Sequence, residues 1–270
     1  MNSTTYSDPV SKLFSFGNCR EMDSRNWPDY PAELGLTSVN EPELIRMATD
    51  LSFWEKEGIE VWAPVHAWRS LGQLRSVAAI KPLMQLFVDR ENEWAIEELP
   101  LVYGMIGPQA IPDLSEYLLN AANEAWPRAT AVNCLEKIVE AYPEYRDACI
   151  SPITEALGNF ADNESFFNAL LICPLLDWQV VEAAPLMEQA FTSKNVDEMV
   201  VGTWASVQVE LGLKQKKDFA PEAFQLPINP EIQKWGKLLD LWESQSKEPL
   251  GFGGPGQTKG KKGKQKKKKK

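Results

Sequence analysis

One short phrase, written four times, limits what this chain can fold into. Each copy sets a small residue, then a proline within four positions, at the opening of an apolar-spaced segment. The copies are Ala79-Ile80-Lys81-Pro82-Leu83, Ala110-Ile111-Pro112-Asp113-Leu114, Ala148-Cys149-Ile150-Ser151-Pro152-Ile153 and Ala183-Ala184-Pro185-Leu186. Their prolines fall 30, 40 and 33 residues apart. A period of that length predicts a stack of helical hairpins rather than a globule around one core. A single hairpin cannot bury its apolar side, so neighbours must cover one another, and the stacked surface usually grips a partner.

Between these phrases the apolar spacing is helical. Asn40-Glu41-Pro42-Glu43 supplies a cap, a first-turn proline and a carboxylate that satisfies free N–H groups, predicting a helix from about 41 to Glu57, ended by Gly58. Val65, Trp68, Leu71 and Leu74 share one face, and Ala79, Ile80, Leu83, Leu86 and Phe87 supply the answering helix. Further pairs are predicted over Trp94–Ile106 with Pro108–Leu119, Arg128–Ala141 with Ala148–Leu157, and Phe166–Leu176 with Val180–Phe191. Asn195-Val196-Asp197-Glu198 caps one more helix to Leu211, stopped by Gly212. Pro100 and Pro174 fall mid-pattern and predict kinks. Leu71, Ile80, Leu83, Leu114, Leu135, Ile153 and Leu186 are the expected core between hairpins. After a connector over 214–228, Pro230 to Trp242 reads as a closing helix. Residues 1–35 carry aromatics without a sustained period and read as an irregular arm that packs in part on the stack, 36–245 as the repeat domain with its capping helices, and 246–270 as a tail.

Charge separates body from tail. Nine of the 28 basic residues lie in 251–270 (Lys259, Lys261, Lys262, Lys264, Lys266, Lys267, Lys268, Lys269 and Lys270), a stretch without an acid. Residues 1–250 therefore set 19 basic against all 38 acidic side chains. The Gly/Lys-rich tail has no means of building a core and is expected to be disordered. Its lysines are the polyanion-binding candidates, for RNA, DNA or an anionic surface, the alternative being a solubilising tail. The start of the chain shows no charged-then-apolar leader, and no apolar run is long enough for a membrane span. The four cysteines stand singly, with no CxxC pair, and His66 is the only histidine. Reduced, buried thiols and a cytoplasmic location are the expectation, with no metal and no cofactor.

The four phrases resemble HEAT-like repeats, in particular the short variety found in phycobilin lyases and uncharacterised bacterial proteins. That variety ends its first helix in Leu-Gly and opens its second with Ala-aliphatic-x-Pro-Leu. Ser70-Leu71-Gly72 before Ala79-Ile80-Lys81-Pro82-Leu83 carries the pattern best, and Tyr103-Gly104 with Gly107-Pro108 before Ala110-Ile111-Pro112 carries it fairly. The resemblance spans about residues 59–213 and implies an all-α solenoid of stacked antiparallel hairpins. It departs in lacking the Asp and Arg positions by which many HEAT repeats bridge neighbours, so a mainly apolar ladder is expected.

Candidate sites are few. Trp94 stands among Glu93, Glu97 and Glu98, and these four residues are the candidate protein-binding group: an exposed anchor for a basic or aromatic partner, or a solvated helix start whose acids complement the helix dipole. Glu97 and Glu98, adjacent on a helix, point about 100° apart and cannot share acid–base work. His66, one turn before Ser70, has no evident third group for nucleophilic catalysis and reads as a core or interface histidine. The resulting expectation is a monomeric, non-catalytic scaffold or adaptor that binds a protein or peptide along an acidic helical surface, its tail tethering it to a polyanion. The alternative implied by the resemblance is a phycobilin-lyase-like chaperone or transferase for a tetrapyrrole. HEAT-like DNA glycosylases want a basic groove, which residues 59–213 do not offer.

Overall fold

The computed structural model describes residues 6–22, 27–89 and 92–226. The chain divides into two units, Met1–Leu226 and Pro227–Lys270, and every described residue belongs to the first. The expected closing helix and the lysine tail lie outside the described residues. Within them, all regular structure is helical: α1 (Tyr30–Leu34), α2 (Glu41–Ala48), α3 (Ala63–Gln73), α4 (Ile80–Met84), α5 (Glu93–Ile106), α6 (Ile111–Leu119), α7 (Ala125–Ala141), α8 (Arg146–Gly158), α9 (Ser165–Asp177), α10 (Ala184–Thr192), α11 (Glu198–Val201) and α12 (Trp204–Glu210), joined by short 3-10 turns. Among the described residues no helix is long and apolar enough to cross a membrane.

Helices pack in chain order. α2 lies on α3, α3 on α5, α5 on α7 and α7 on α9, while α6 packs against both α7 and α8. Glycine explains the closest of these crossings. A Cβ at Gly104 would stand 3.0 Å from the Lys137 carbonyl oxygen, and one at Gly72 would stand 3.3 Å from the Val102 Cα. The second residue of each Leu-Gly or Tyr-Gly pair is thus where one helix backbone meets the next. The side chain before it, Leu71 or Tyr103, is fully buried.

The entry to each second helix repeats as well. Three-residue 3-10 turns (Val77–Ala79, Pro108–Ala110, Pro143–Tyr145 and Val181–Ala183) run directly into α4, α6, α8 and α10. Their alanines Ala79, Ala110 and Ala183 are buried, so only a small residue fits there. The third copy needs correcting. Pro152 lies inside α8 and not near its start, because Pro143 fixes the entry turn. The entry residue is then Tyr145, not Ala148. Two expected helices are also broken. The first ends at Ala48, where the Thr49 hydroxyl donates to the Ile45 carbonyl at 2.8 Å and Asp50 begins a new turn. The one expected to reach Leu211 divides at Gly202, whose φ of 84° is left-handed, and Thr203 recaps the remainder as α12.

Leu71, Ile80, Leu83, Leu114, Leu135 and Ile153 are buried as expected; Leu186 is only half-buried, and Met187 holds the core position beside it. The arm is no loose appendage. Tyr6, Val10, Leu13, Cys19 and Tyr30 join the core, and its first 3-10 segment, Val10–Phe16, packs on α3. At the far end, fully buried Asn168 donates from Nδ2 to the carbonyls of Phe160 and Asn195, tying the α8–α9 and α10–α11 loops together.

Candidate functional site

The core between hairpins is mainly apolar, as expected, but the interface of α3 with α5 also holds a buried ion pair. Arg69 of α3 and Glu98 of α5 form an ion pair with side chains 0% and 3% exposed. Arg69 donates from Nη2 and, at 2.8 Å, from Nε, while the Trp68 indole donates to the same carboxylate at 3.0 Å. Burial disfavours the charged guanidinium, but the hydrogen bonds and charge of Glu98 outweigh it and hold Arg69 protonated. A buried charge without such partners would cost several kcal/mol.

The network continues into the arm. The Arg69 guanidinium stands near Tyr30, where it opposes the rise that burial gives the phenol, and Tyr30 lies 2.7 Å from His66 Nδ1. His66 Nε2 lies 3.0 Å from the Gly17 carbonyl, which can only accept. Nε2 therefore carries the imidazole proton, and Nδ1 accepts from the Tyr30 hydroxyl. Burial lowers the His66 pKa to about 4, so the ring is neutral at pH 7. Burial likewise lifts the adjacent Cys19 thiol to about 12 and raises the Tyr30 phenol. Each of these groups is held in one protonation state. The Ser70 hydroxyl donates to the His66 carbonyl oxygen at 2.7 Å and does not reach the ring, so no nucleophile–base pair forms there.

What this network positions is a groove. The Trp27 ring lies 4.8 Å from the Arg69 guanidinium, and Gln73 clasps the same segment, donating to the Pro28 carbonyl at 2.8 Å and accepting from the Tyr30 amide at 3.0 Å. Trp27, Asp29 and Pro31 thereby form one wall of an open cavity of about 1100 Å³. Its lining draws on three helices that pack in succession: Gly72 of α3, Leu101, Gly104 and Met105 of α5, and Ala141 of α7, with Tyr142 just beyond α7. Gly72 and Gly104, where helix backbones meet most closely, both belong to it. Its charges are mixed, with Arg75 and Lys137 facing Asp29 and Glu140, and Lys137 pairs with Glu140 at 2.6 Å.

The residues expected around Trp94 divide. Glu93 and Glu97 are exposed, and Trp94 is half-buried, edge-on to Trp62 with ring centroids 5.1 Å apart. Glu98 is removed from the candidate surface, since it is buried against Arg69. The adjacent-residue geometry that separates Glu97 from Glu98 sends one to solvent and the other to the core. Lys259, Lys261, Lys262, Lys264 and Lys266 to Lys270 lie outside the described residues. The groove lining was missed because Leu101 and Met105 carry no signal beyond helix periodicity, and Trp27 sits in a stretch without period. Cys134 and Cys149 are buried and Cys173 partly so, and burial raises all three thiols, the last two to about 11. Among the described residues no group of His, Cys, Asp and Glu side chains is placed to hold a metal ion. No family model, curated protein or solved structure matches this chain.

Proposed function

We propose that this protein is a HEAT-like helical solenoid acting as a partner-binding scaffold, with a segment of another protein lying in the groove across α3, α5 and α7. The observation that carries the reading is the groove itself. It is open and lined by three helices that pack in succession, with half-buried Leu101, Met105 and Tyr142 among balanced charges, a mixture of apolar and polar groups such as protein-binding surfaces carry. Support comes also from the order of helix packing and from the repeated 3-10 entries. The buried titratable groups, Arg69, Glu98, Tyr30 and His66, are engaged with one another and serve to fix the groove wall.

The nine lysines within 259–270 extend the reading. They would tether the scaffold to a polyanion in the cytoplasm by releasing counterions, a role for which the acidic body is unsuited. The test is affinity capture from a native lysate with the full chain, a chain ending at Pro249, and a Met105→Glu variant of normal melting temperature. Stoichiometric partners retained by the truncation and lost by the variant would support the groove. Identical partner sets for wild type and Met105→Glu would refute it.

A further inference from the structure

A second opening lies among the second helices, away from the groove lining. α6 packs along α8, but between α6 and α4 with its 3-10 continuation, Gln85–Val88, a cleft of about 530 Å³ remains. One wall is α4 with the 3-10 turn that continues it, and the other is α6 with its C-cap Asn120. Lys81, Met84, Gln85 and Val88 line the first and Asp113, Glu116, Tyr117 and Asn120 the second, both spaced i, i+3, i+4 and i+7 in sequence. A cleft between two helical elements is a recess of the kind that the apolar side chains of an amphipathic helix enter. The lining includes apolar side chains at two depths: Met84 is buried and Tyr117 half-buried, edge-on to Phe87, while Val88 is 64% exposed at the mouth. An aliphatic side chain so exposed at a cleft mouth marks surface that gains from being covered.

The charges select the occupant. Lys81 bridges the mouth to Asp113 at 3.3 Å, which engages the one cationic side chain in the lining. Glu116 is exposed, and its carboxylate makes no ion pair with a described residue. The net charge presented is negative, so an acidic occupant is repelled and a cationic one is favoured. The cavity has the size of a site for a few bulky side chains.

We propose that this cleft docks a basic amphipathic helix of a partner protein, its aliphatic side chains seated on Met84, Val88 and Tyr117 and a lysine or arginine meeting Glu116. The proposal rests on the reading of the chain as a partner-binding scaffold and adds a second docking point with its own chemistry. It is tested on the full chain by fluorescence anisotropy with three synthetic peptides. One carries leucines at i, i+3, i+4 and i+7 with lysines elsewhere; the others replace the leucines by serine or the lysines by glutamate. The first should bind and the others should not. Glu116→Lys and Val88→Asn, both surface changes, should each weaken binding by about tenfold, the loss of one close pair or contact. Glu33→Lys, an equal charge reversal at an exposed position of α1, should leave it unchanged. Absence of binding, equal binding of the serine peptide, or equal weakening by Glu33→Lys would each overturn the proposal. None of these outcomes bears on Met105→Glu capture, so the groove reading stands or falls separately.

Discussion

Removing the Glu98 carboxylate should be among the most costly single changes in this protein. In Glu98→Ala the Arg69 guanidinium stays charged and fully buried, with only Tyr30, the Trp27 face and the Met22 sulfur, at 3.4 Å, left around it. Leaving one partner of a buried pair uncompensated costs about 3–5 kcal/mol. The Trp68 indole N–H loses its acceptor as well, adding about 1–3 kcal/mol. A total of about 4–8 kcal/mol is a large share of the roughly 5–15 kcal/mol that holds a typical domain folded. With an m value near 2 kcal/mol/M, the urea midpoint should fall by about 2–4 M. Arg69→Met with Glu98→Leu removes both charges together, and its cost should shrink to about 1–3 kcal/mol, chiefly the orphaned indole. Far-ultraviolet circular dichroism through a urea series on the wild type, Glu98→Ala and the double variant measures this. The Lys81–Asp113 pair, with side chains 72% and 29% exposed, is the internal control and should cost under about 1 kcal/mol to remove. A cost below about 1 kcal/mol for Glu98→Ala, or equal costs for the single and double variants, would refute the buried pair.

Three other changes separate this architecture from a generic helical one. Alanine in place of a helical glycine ordinarily stabilises by about 0.5–1 kcal/mol, and Gly158→Ala should do so, since a Cβ there meets nothing within 4 Å; Gly104→Ala should instead destabilise by about 1–3 kcal/mol, because its Cβ would meet the Lys137 carbonyl at 3.0 Å. The His66 pKa falls to about 4 in the fold, so the unfolded chain takes up a proton near pH 6.5 that the folded ring refuses. Stability should therefore drop by about 3 kcal/mol as pH falls from 6.5 to 4, and His66→Gln should flatten that limb in melts across the range. Deleting residues 251–270 should abolish binding to single-stranded RNA and leave the melting temperature nearly unchanged, while the full chain should lose affinity with salt at a log–log slope of about −0.7 per phosphate engaged.

The recurrence of helices was legible because apolar spacing and proline both punctuate the chain at fixed distance. Their registration was less so. Pro152 mimics an entry proline, but Pro143, nine residues earlier, had already begun the helix. Local hydrogen-bonding residues decided the breaks at Thr49 and Gly202, where apolar spacing alone ran straight on. That the arm packs on the helices was expected from its aromatics, but which residues bury was not legible, because Tyr6, Val10, Leu13 and Tyr30 find their partners through tertiary contact and not through period. At the candidate site, Trp94 and its acids were visible by composition, yet only packing could divide Glu97, facing water, from Glu98, facing Arg69. The groove joins Trp27, Met105 and Tyr142 across more than a hundred residues of sequence, a juxtaposition no local pattern encodes.

The central claim, that a partner segment lies across α3, α5 and α7, is met most directly by site-specific photocrosslinking in the full chain. A benzophenone side chain placed at Met105 should trap a partner as one discrete adduct in native extract, and the same group at Val39, which is 85% exposed and outside the groove lining, should not. Adducts of equal yield at both positions, or a partner trapped only from Val39, would contradict it.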